Sequence, residues 1–170
     1  MTDVFTKAKR SEVMSRIRSR GNQATELALV RLLRADGITG WRRHVLLSVR
    51  SSRGDEALIK KRKSKSGKRK PVQASSRRLL RVRPDFVFRK SRLVIFVDGC
   101  FWHACPKHAT QPKNNRAFWQ RKFSSNKQRD LFVTRTLRRR GWGVLRIWEC
   151  ALARRPEVCL RRVQRALTRV

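Results

Sequence analysis

The sequence predicts a mixed α/β fold in which helices flank a central sheet. Three apolar runs, at residues 79–88, 93–97 and 142–148, have the composition and length of strands. A stretch with helical signals, from residue 114 or 115 to about 140, lies between the second and third runs. Strands that alternate with helices in this way are typical of a sheet with helices packed on its faces.

One domain is predicted over residues 1–170, with two basic additions. The N-terminal arm, residues 1–20, places Val13, Met14 and Ile17 among basic residues, which predicts a helix that either binds DNA or docks on the core. The insertion, about residues 51–78, contains a dense basic run without apolar residues, so it is predicted to be disordered or weakly ordered. Its charge favours contact with phosphates over a role in solubility alone.

The remaining elements follow from local signals. Thr25 is predicted to cap a helix that runs through Leu33, and residues 41–49 alternate as a strand. His44 lies in that strand, where a histidine is more often packed or exposed than a ligand. Pro156 suits the first turn of a last helix. The long helix after residue 114 has an apolar stripe that is predicted to be mostly core: Phe118, Trp119, Phe123, Phe132, Val133 and Leu137.

The charge of the chain indicates a polyanionic partner. Lysine and arginine number 45 against 11 acidic residues, a net charge of +34. Such a charge destabilises a compact state by self-repulsion unless a polyanion compensates it, and nucleic acid is the first candidate. Since the chain has neither an apolar run of about 18 residues nor a signal-peptide core, we expect no membrane partner and a cytoplasmic protein. With nucleic acid as its partner we expect it to be nucleoid-associated in a bacterial cell, and we separately expect a monomer.

One short segment, residues 97–108, concentrates the metal-binding chemistry. Cys100, Cys105 and His108 are ligands that zinc prefers, at spacings that allow them to meet on one ion. Cys150 is the candidate fourth ligand, because it follows the last predicted strand, whose end a sheet can bring beside this loop. In the alternative interpretation the cysteines are buried apolar residues and His108 is a surface histidine. Without a secretion signal, thiols or metal are expected in place of disulfides.

Two aspartates mark a second candidate metal site. Asp85 is predicted inside a strand, and Asp98 ends the next one. Because neighbouring strands lie about 5 Å apart, carboxylates at their ends can share a hard cation such as Mg²⁺. Such a cation polarises a phosphodiester and activates water, and His103 is a candidate to take the proton. The alternative is that both aspartates only cap turns.

Several motifs together are similar to those of one enzyme family. They are RSEVMSRIR at 10–18, Thr25-Glu26, RPDFVF at 83–88, VIFVDGCFWH at 94–103, Phe118-Trp119, Arg129-Asp130, Gly141-Trp142 and WEC at 148–150. This combination resembles the very-short-patch repair (Vsr) DNA mismatch endonucleases. The resemblance covers nearly the whole chain except the insertion.

The resemblance implies a restriction-endonuclease-like fold and a Mg²⁺-dependent DNA endonuclease. The family's activity is to recognise a T:G mismatch in duplex DNA and nick the strand 5′ of the thymine, which starts very short patch repair alongside other mismatch-repair proteins. Asp85, with the backbone carbonyl of Val97, would bind the catalytic Mg²⁺, and His103 would act as general base or position the water. Further polar members of the active site would be Glu26, Asp98 and Asp130.

The resemblance also implies a structural zinc ion and an aromatic wedge. The zinc ligands would be Cys100, Cys105, His108 and Cys150. Met14, Phe101, Trp102 and Trp119 would insert beside the mismatch, where unstacking costs less than at a paired step. The chain is set apart from the family's pattern at three points. Some members have histidine where this chain has Asp98, the order of the second and third zinc ligands varies in the family, and the insertion precedes the catalytic strand.

Two other functions stay open. One is a restriction-like nicking nuclease without mismatch specificity. The other is a non-catalytic, zinc-stabilised nucleic-acid-binding protein, for which replacement of Asp85 would leave every measurable activity intact. Salt dependence does not separate these functions, because each of them includes contacts to phosphates.

Overall fold

The computed structural model describes residues 22–50, 79–108 and 114–168, together with the isolated positions Glu12 and Pro112. The predicted N-terminal arm, apart from Glu12, and the predicted insertion lie outside the described residues. The predictions for both segments, including the DNA contact of Met14, therefore stay predictions.

The described chain has a mixed α/β fold with a mixed sheet, as predicted. Its elements are a π-helical turn (Gln23–Leu27), α1 (Ala28–Ala35), β1 (Trp41–Arg43), β2 (Leu47–Arg50), β3 (Leu79–Val82), β4 (Phe86–Phe88), β5 (Leu93–Asp98), α2 (Arg116–Arg139), β6 (Gly143–Trp148), α3 (Glu149–Arg154) and α4 (Pro156–Thr168). The main sheet has the strand order β1-β4-β5-β6, and β2 and β3 form a separate pair. Strand β4 runs antiparallel to both β1 and β5.

Two predicted strands are each divided in the structure. The strand predicted at 41–49 breaks into β1 and β2 at His44, whose φ of 53° is a left-handed conformation that a strand does not accept. The strand predicted at 79–88 breaks into β3 and β4 at Pro84, which has no N–H to donate to a ladder. Asp85 therefore lies in a bend just before β4, and the prediction that it lies inside a strand was wrong.

The pair β2·β3 joins the two ends of the insertion. These strands are antiparallel, in a register that runs from Leu47 opposite Val82 to Arg50 opposite Leu79. The chain thus leaves the described structure at Arg50 and returns to it directly across the ladder at Leu79.

The helices follow their predicted signals closely, with two differences. Asn22, and not Thr25, caps the first helical segment, because its Oδ1 accepts a hydrogen bond from the Ala24 N–H at 2.9 Å. Pro156 begins α4 as predicted, but the short helix α3 that precedes it was not predicted. Among the described residues, no helix combines the length and apolar character that a membrane span requires.

The chain separates into two compact units. Unit 1 contains the described parts of residues 1–39, 97–127 and 146–169, and unit 2 contains those of 40–96 and 128–145. In unit 1, α3 packs against α1 and α4. The side chains buried in these three helices are Leu29, Val30, Leu33, Leu152, Cys159 and Val163.

Unit 2 has its own apolar core, formed by the pair β2·β3, the middle of the main sheet and the second half of α2. Its buried members are Leu47, Val49, Val82, Val87, Val94, Phe132, Val133 and Leu137. The last three confirm part of the predicted apolar stripe of the long helix. Phe118 departs from that prediction, because it is 52% exposed.

Replacement of Leu137 by alanine is expected to destabilise the protein by about 2–5 kcal/mol, because Leu137 is fully buried and its loss leaves a cavity in the core of unit 2. Leu131→Ala is the matched control, since Leu131 lies on the same helix but is 56% exposed. The free energy of unfolding, measured by urea titration, checks both variants. Equal losses would contradict the assignment of the core.

Candidate active site and metal-binding loop

The loop after β5 brings the four predicted zinc ligands together. Within unit 1, β5 leads into a series of turns over residues 100–108, in which the Cys105 N–H donates to the Cys100 carbonyl at 2.9 Å. Cys150 lies in the first turn of α3, directly after β6. Because β5 and β6 are neighbours in the sheet, their ends place the loop and α3 side by side.

The geometry of this cluster suits a tetrahedral ion. The Sγ of Cys105 lies 3.8 Å from the Sγ of Cys150 and 3.9 Å from the Nδ1 of His108. The ligand atoms of all four residues, Cys100 included, lie within 4.8 Å of one another. Ligands bonded to zinc at about 2.3 Å lie roughly 3.8 Å apart at the corners of a tetrahedron. Three sulfurs and one imidazole also form a donor set that zinc prefers, so the residues fit the ion.

The ionisation of the cysteines is uneven. Burial acts to raise the pKa of Cys105, but hydrogen bonds from the backbone at Lys107, and from the side chain and backbone of His108, outweigh it and lower the pKa to about 6. Burial raises the pKa of Cys100 to about 12. Cys105 therefore ionises more readily than an ordinary thiol and Cys100 less readily, and a metal ion bound to the cluster would displace the Cys100 proton.

Glu149 fixes the start of the loop. Its carboxylate Oε2 accepts a hydrogen bond from the backbone N–H of Cys100 at 3.1 Å, which ties the first turn of α3 to the end of β5. Such contacts behind a ligand hold it in the orientation that a metal requires.

An aromatic cluster in unit 1 combines residues of the loop with residues of the first half of α2. Phe101 makes edge contacts with Trp102, Trp119 and Phe123, with ring centroids 5.1, 5.2 and 5.5 Å apart. Phe118 makes an edge contact with Trp119 at 5.4 Å and is half exposed. The structure thus joins the three predicted wedge residues Phe101, Trp102 and Trp119 in one cluster and adds Phe118 and Phe123. The Trp102 carbonyl accepts a hydrogen bond from Asn126 at 2.7 Å, which ties the loop to α2.

Asp98 and His103 meet at the end of β5. Oδ1 of Asp98 lies 3.8 Å from Nδ1 of His103, and the aspartate is almost fully buried. Arg146 of β6 donates two hydrogen bonds to the same carboxylate, from Nε to Oδ2 at 2.7 Å and from Nη2 to Oδ1 at 2.5 Å. Both carboxylate oxygens of Asp98 are therefore engaged in a bidentate ion pair with Arg146.

Asp85 has a histidine for a neighbour in unit 2. A carboxylate oxygen of Asp85 and a ring nitrogen of His44 lie within 4.8 Å of each other, and both side chains are half-buried. His44 Nε2 also accepts a hydrogen bond from Arg43 at 3.2 Å. Carboxylate oxygen is the ligand that Mg²⁺ prefers, so Asp85 fits the predicted cation.

The other predicted site residues lie on helices and on β5. Glu26 is buried in the π-helical turn before α1 in unit 1, and Asp130 is half-buried on α2 in unit 2. Val97 is the penultimate residue of β5.

Two residues of the candidate site were not predicted from the sequence. Arg146 lies among Val144, Leu145 and Ile147, and a charged side chain inside so apolar a strand was the signal for a buried partner. His44 was interpreted as packed or exposed, because no pattern along the chain connects it with Asp85.

Comparison with known proteins shows which proteins the chain is similar to. Residues 67–111 match the family model for DNA mismatch endonuclease Vsr. The type II nicking enzyme V.NaeI of Lentzea aerocolonigenes is 46% identical over 70 residues, which cover 41% of this chain and 42% of the relative. The DNA mismatch endonuclease Vsr of Escherichia coli (strain K12) is 42% identical over 77 residues, which cover 45% of this chain and 49% of the relative.

A third similarity extends over the full chain. The type II nicking enzyme V.NmeAIP of Neisseria meningitidis serogroup A is 29% identical over 172 residues, which cover 100% of this chain and 97% of the relative. The two alignments of higher identity, by contrast, span less than half of each relative's length. The resemblance predicted from the motifs is confirmed: the chain is similar to the Vsr family of DNA mismatch endonucleases, most clearly over residues 67–111.

Proposed function

We propose that this protein is a DNA nicking endonuclease that cuts one strand of a duplex 5′ of the thymine in a T:G mismatch and so starts very short patch repair. The observation that carries the proposal is the position of the family match. It covers residues 67–111, which contain Asp85, the pair Asp98–His103 and three of the four candidate zinc ligands.

The proposed chemistry is hydrolysis of a phosphodiester. Asp85 and the carbonyl of Val97 are the proposed ligands of Mg²⁺, which when bound supplies a Lewis acid for the phosphate and an activated water. His103 is the proposed general base or water-positioning group, since it is only partly buried, with its side chain 28% exposed and its Nδ1 facing a carboxylate. Glu26, Asp98 and Asp130 keep their proposed roles as further polar members of the active site.

The charge and the aromatic cluster support DNA as the substrate. A net charge of +34 attracts a polyanion of any sequence and gives affinity without specificity. The aromatic cluster can add specificity, because flat rings at a protein surface can replace a neighbouring base in the stack. A mismatched step costs less to unstack than a paired one, so the proposed insertion of Phe101, Trp102 and Trp119 would favour a mismatch.

A nicking assay tests this proposal. The full chain is incubated with Mg²⁺ and with two duplexes that differ only in one T:G or T:A pair, at moderate salt to suppress unspecific binding. We expect a single nick, 5′ of the thymine, in the mismatched duplex alone. Equal cutting of both duplexes would instead indicate a nicking nuclease without mismatch specificity. Tight binding without any cutting would indicate a binding protein.

A further inference from the structure

We propose that Arg146 is a positioning residue that holds Asp98 against His103 and thereby sets the ring of His103 for the reaction. This inference rests on the proposed function, since it gives Arg146 a part in the same nicking step. The three residues all belong to unit 1.

The contact between Arg146 and Asp98 is strong by its geometry. Two hydrogen bonds, of 2.7 and 2.5 Å, join the guanidinium to both carboxylate oxygens. The Asp98 side chain is 6% exposed, so water does not compete for it. Without Arg146 this carboxylate would be a buried charge without its counterion, and it would turn away from its present position towards water.

The same carboxylate oxygen serves both neighbours. Oδ1 of Asp98 accepts the hydrogen bond from Arg146 Nη2 and lies 3.8 Å from His103 Nδ1. A carboxylate that faces Nδ1 favours the neutral tautomer with its proton on Nδ1, and this tautomer leaves Nε2 as the proton acceptor. The distance exceeds that of a direct hydrogen bond, as is common for catalytic contacts that shorten only when substrate binds.

The backbone around these side chains is well held. The Arg146 carbonyl accepts a hydrogen bond from Arg162 of α4 at 3.0 Å, and the His103 N–H donates to the Gly99 carbonyl at 3.2 Å. Because the backbone on both sides is fixed, the side-chain contact of Arg146 with Asp98 decides where the carboxylate lies. A displacement of about 1 Å at a reacting group can cost a hundredfold in rate.

A direct contact of Arg146 with a DNA phosphate is the competing role. The Arg146 side chain is 23% exposed, which leaves part of it within reach of a phosphate. Its Nε and Nη2, however, already donate to Asp98, which favours the positioning role. The two roles predict different kinetics, because a lost phosphate contact weakens DNA binding while a misplaced His103 slows the chemical step.

Single-turnover nicking of the T:G duplex by Arg146→Met separates the two roles. We expect the rate at saturating DNA to fall about a hundredfold, while the DNA concentration at half-saturation changes less than about threefold. Arg146→Lys should recover only part of the rate, because lysine does not form the bidentate contact. Arg161→Met is the matched control, since it removes the same charge from an exposed position of α4 and should leave both quantities unchanged.

A second background tests whether Arg146 acts through His103. In the His103→Gln protein the further change Arg146→Met should not lower the nicking rate any more. If Arg146 acted independently of His103, the double variant would show the rate losses of both single variants combined. A wild-type rate in Arg146→Met, or a raised half-saturation with an unchanged rate, would overturn the inference.

A spectroscopic readout keeps this inference apart from the proposed function. The chain has only three histidines, so the ring nitrogen shifts of His103 can be assigned by NMR. We expect the Nδ1-protonated tautomer in the wild type and a mixture of tautomers in Arg146→Met. If the wild type does not nick DNA, the proposed function fails while this result still decides the inference. Identical tautomers in both proteins would overturn it.

Discussion

Replacement of Asp85 by asparagine is expected to lower Mg²⁺-dependent nicking of a T:G duplex by about a thousandfold or more, equivalent to about 4 kcal/mol of transition-state stabilisation. Asparagine has nearly the same shape as aspartate, but its amide has no negative charge and is a weak ligand for a hard cation. Asp85 lies in a bend before β4, outside the helices and strands, so the exchange should leave the fold intact. Single-turnover rates over a range of Mg²⁺ concentrations measure the loss.

Asp36→Asn is the matched control for this prediction. Asp36 is exposed at the end of α1, and its carboxylate accepts a hydrogen bond from the side chain of Gln164. The control should nick DNA at the wild-type rate. If Asp85→Asn still nicked DNA at the wild-type rate, Asp85 would not belong to the proposed metal site. If nicking is lost as expected, unchanged binding of the mismatched duplex would show that the loss is in the chemical step.

The second large effect is expected from the loss of zinc. Cys105→Ser removes the central ligand of the cluster, whose sulfur lies within 4 Å of both Cys150 and His108. We expect the bound zinc to fall from one equivalent per chain to near zero and the free energy of unfolding to fall by several kcal/mol, because metal binding and folding of such loops are coupled. Elemental analysis and thermal denaturation, with and without a chelator, measure both quantities.

Cys159→Ala separates the metal from the general cost of changing a buried cysteine. Cys159 is buried on α4 and belongs to no metal-ligand cluster among the described residues. This variant should keep one zinc ion and its sensitivity to a chelator. Zinc retained in Cys105→Ser, or absent from the wild type, would contradict the assignment of the cluster.

The elements with long, regular patterns were predictable from the sequence. Helix α2 and strands β5 and β6 lie close to their predicted bounds, because each has an apolar run or stripe that only one kind of element satisfies. The breaks at His44 and Pro84 were missed, because a single residue that does not fit the strand leaves the alternation of apolar residues in the sequence almost unchanged. Helix α3 is only six residues long, which is too short for a periodic signal.

The candidate site was predictable where its residues cluster along the chain. Cys100, Cys105 and His108 lie within nine positions, and the sheet supplies Cys150 because β5 and β6 are neighbours. The partner of Asp98 was not predictable in this way. Arg146 is 48 residues away, and only the pairing of the two strands shows that its guanidinium reaches the carboxylate.

The pairing of Arg50 with Leu79 has a consequence for how this chain tolerates changes in length. Arg50 is the last residue of β2, Leu79 is the first residue of β3, and the two are directly paired. The 28 residues between them therefore begin and end at adjacent points. The entropy of closing such a loop grows only with the logarithm of its length, and a lengthening from four to 28 residues costs roughly 2 kcal/mol. A segment attached in this way can grow, shrink or exchange its composition between lineages without a change in the register of β2 and β3.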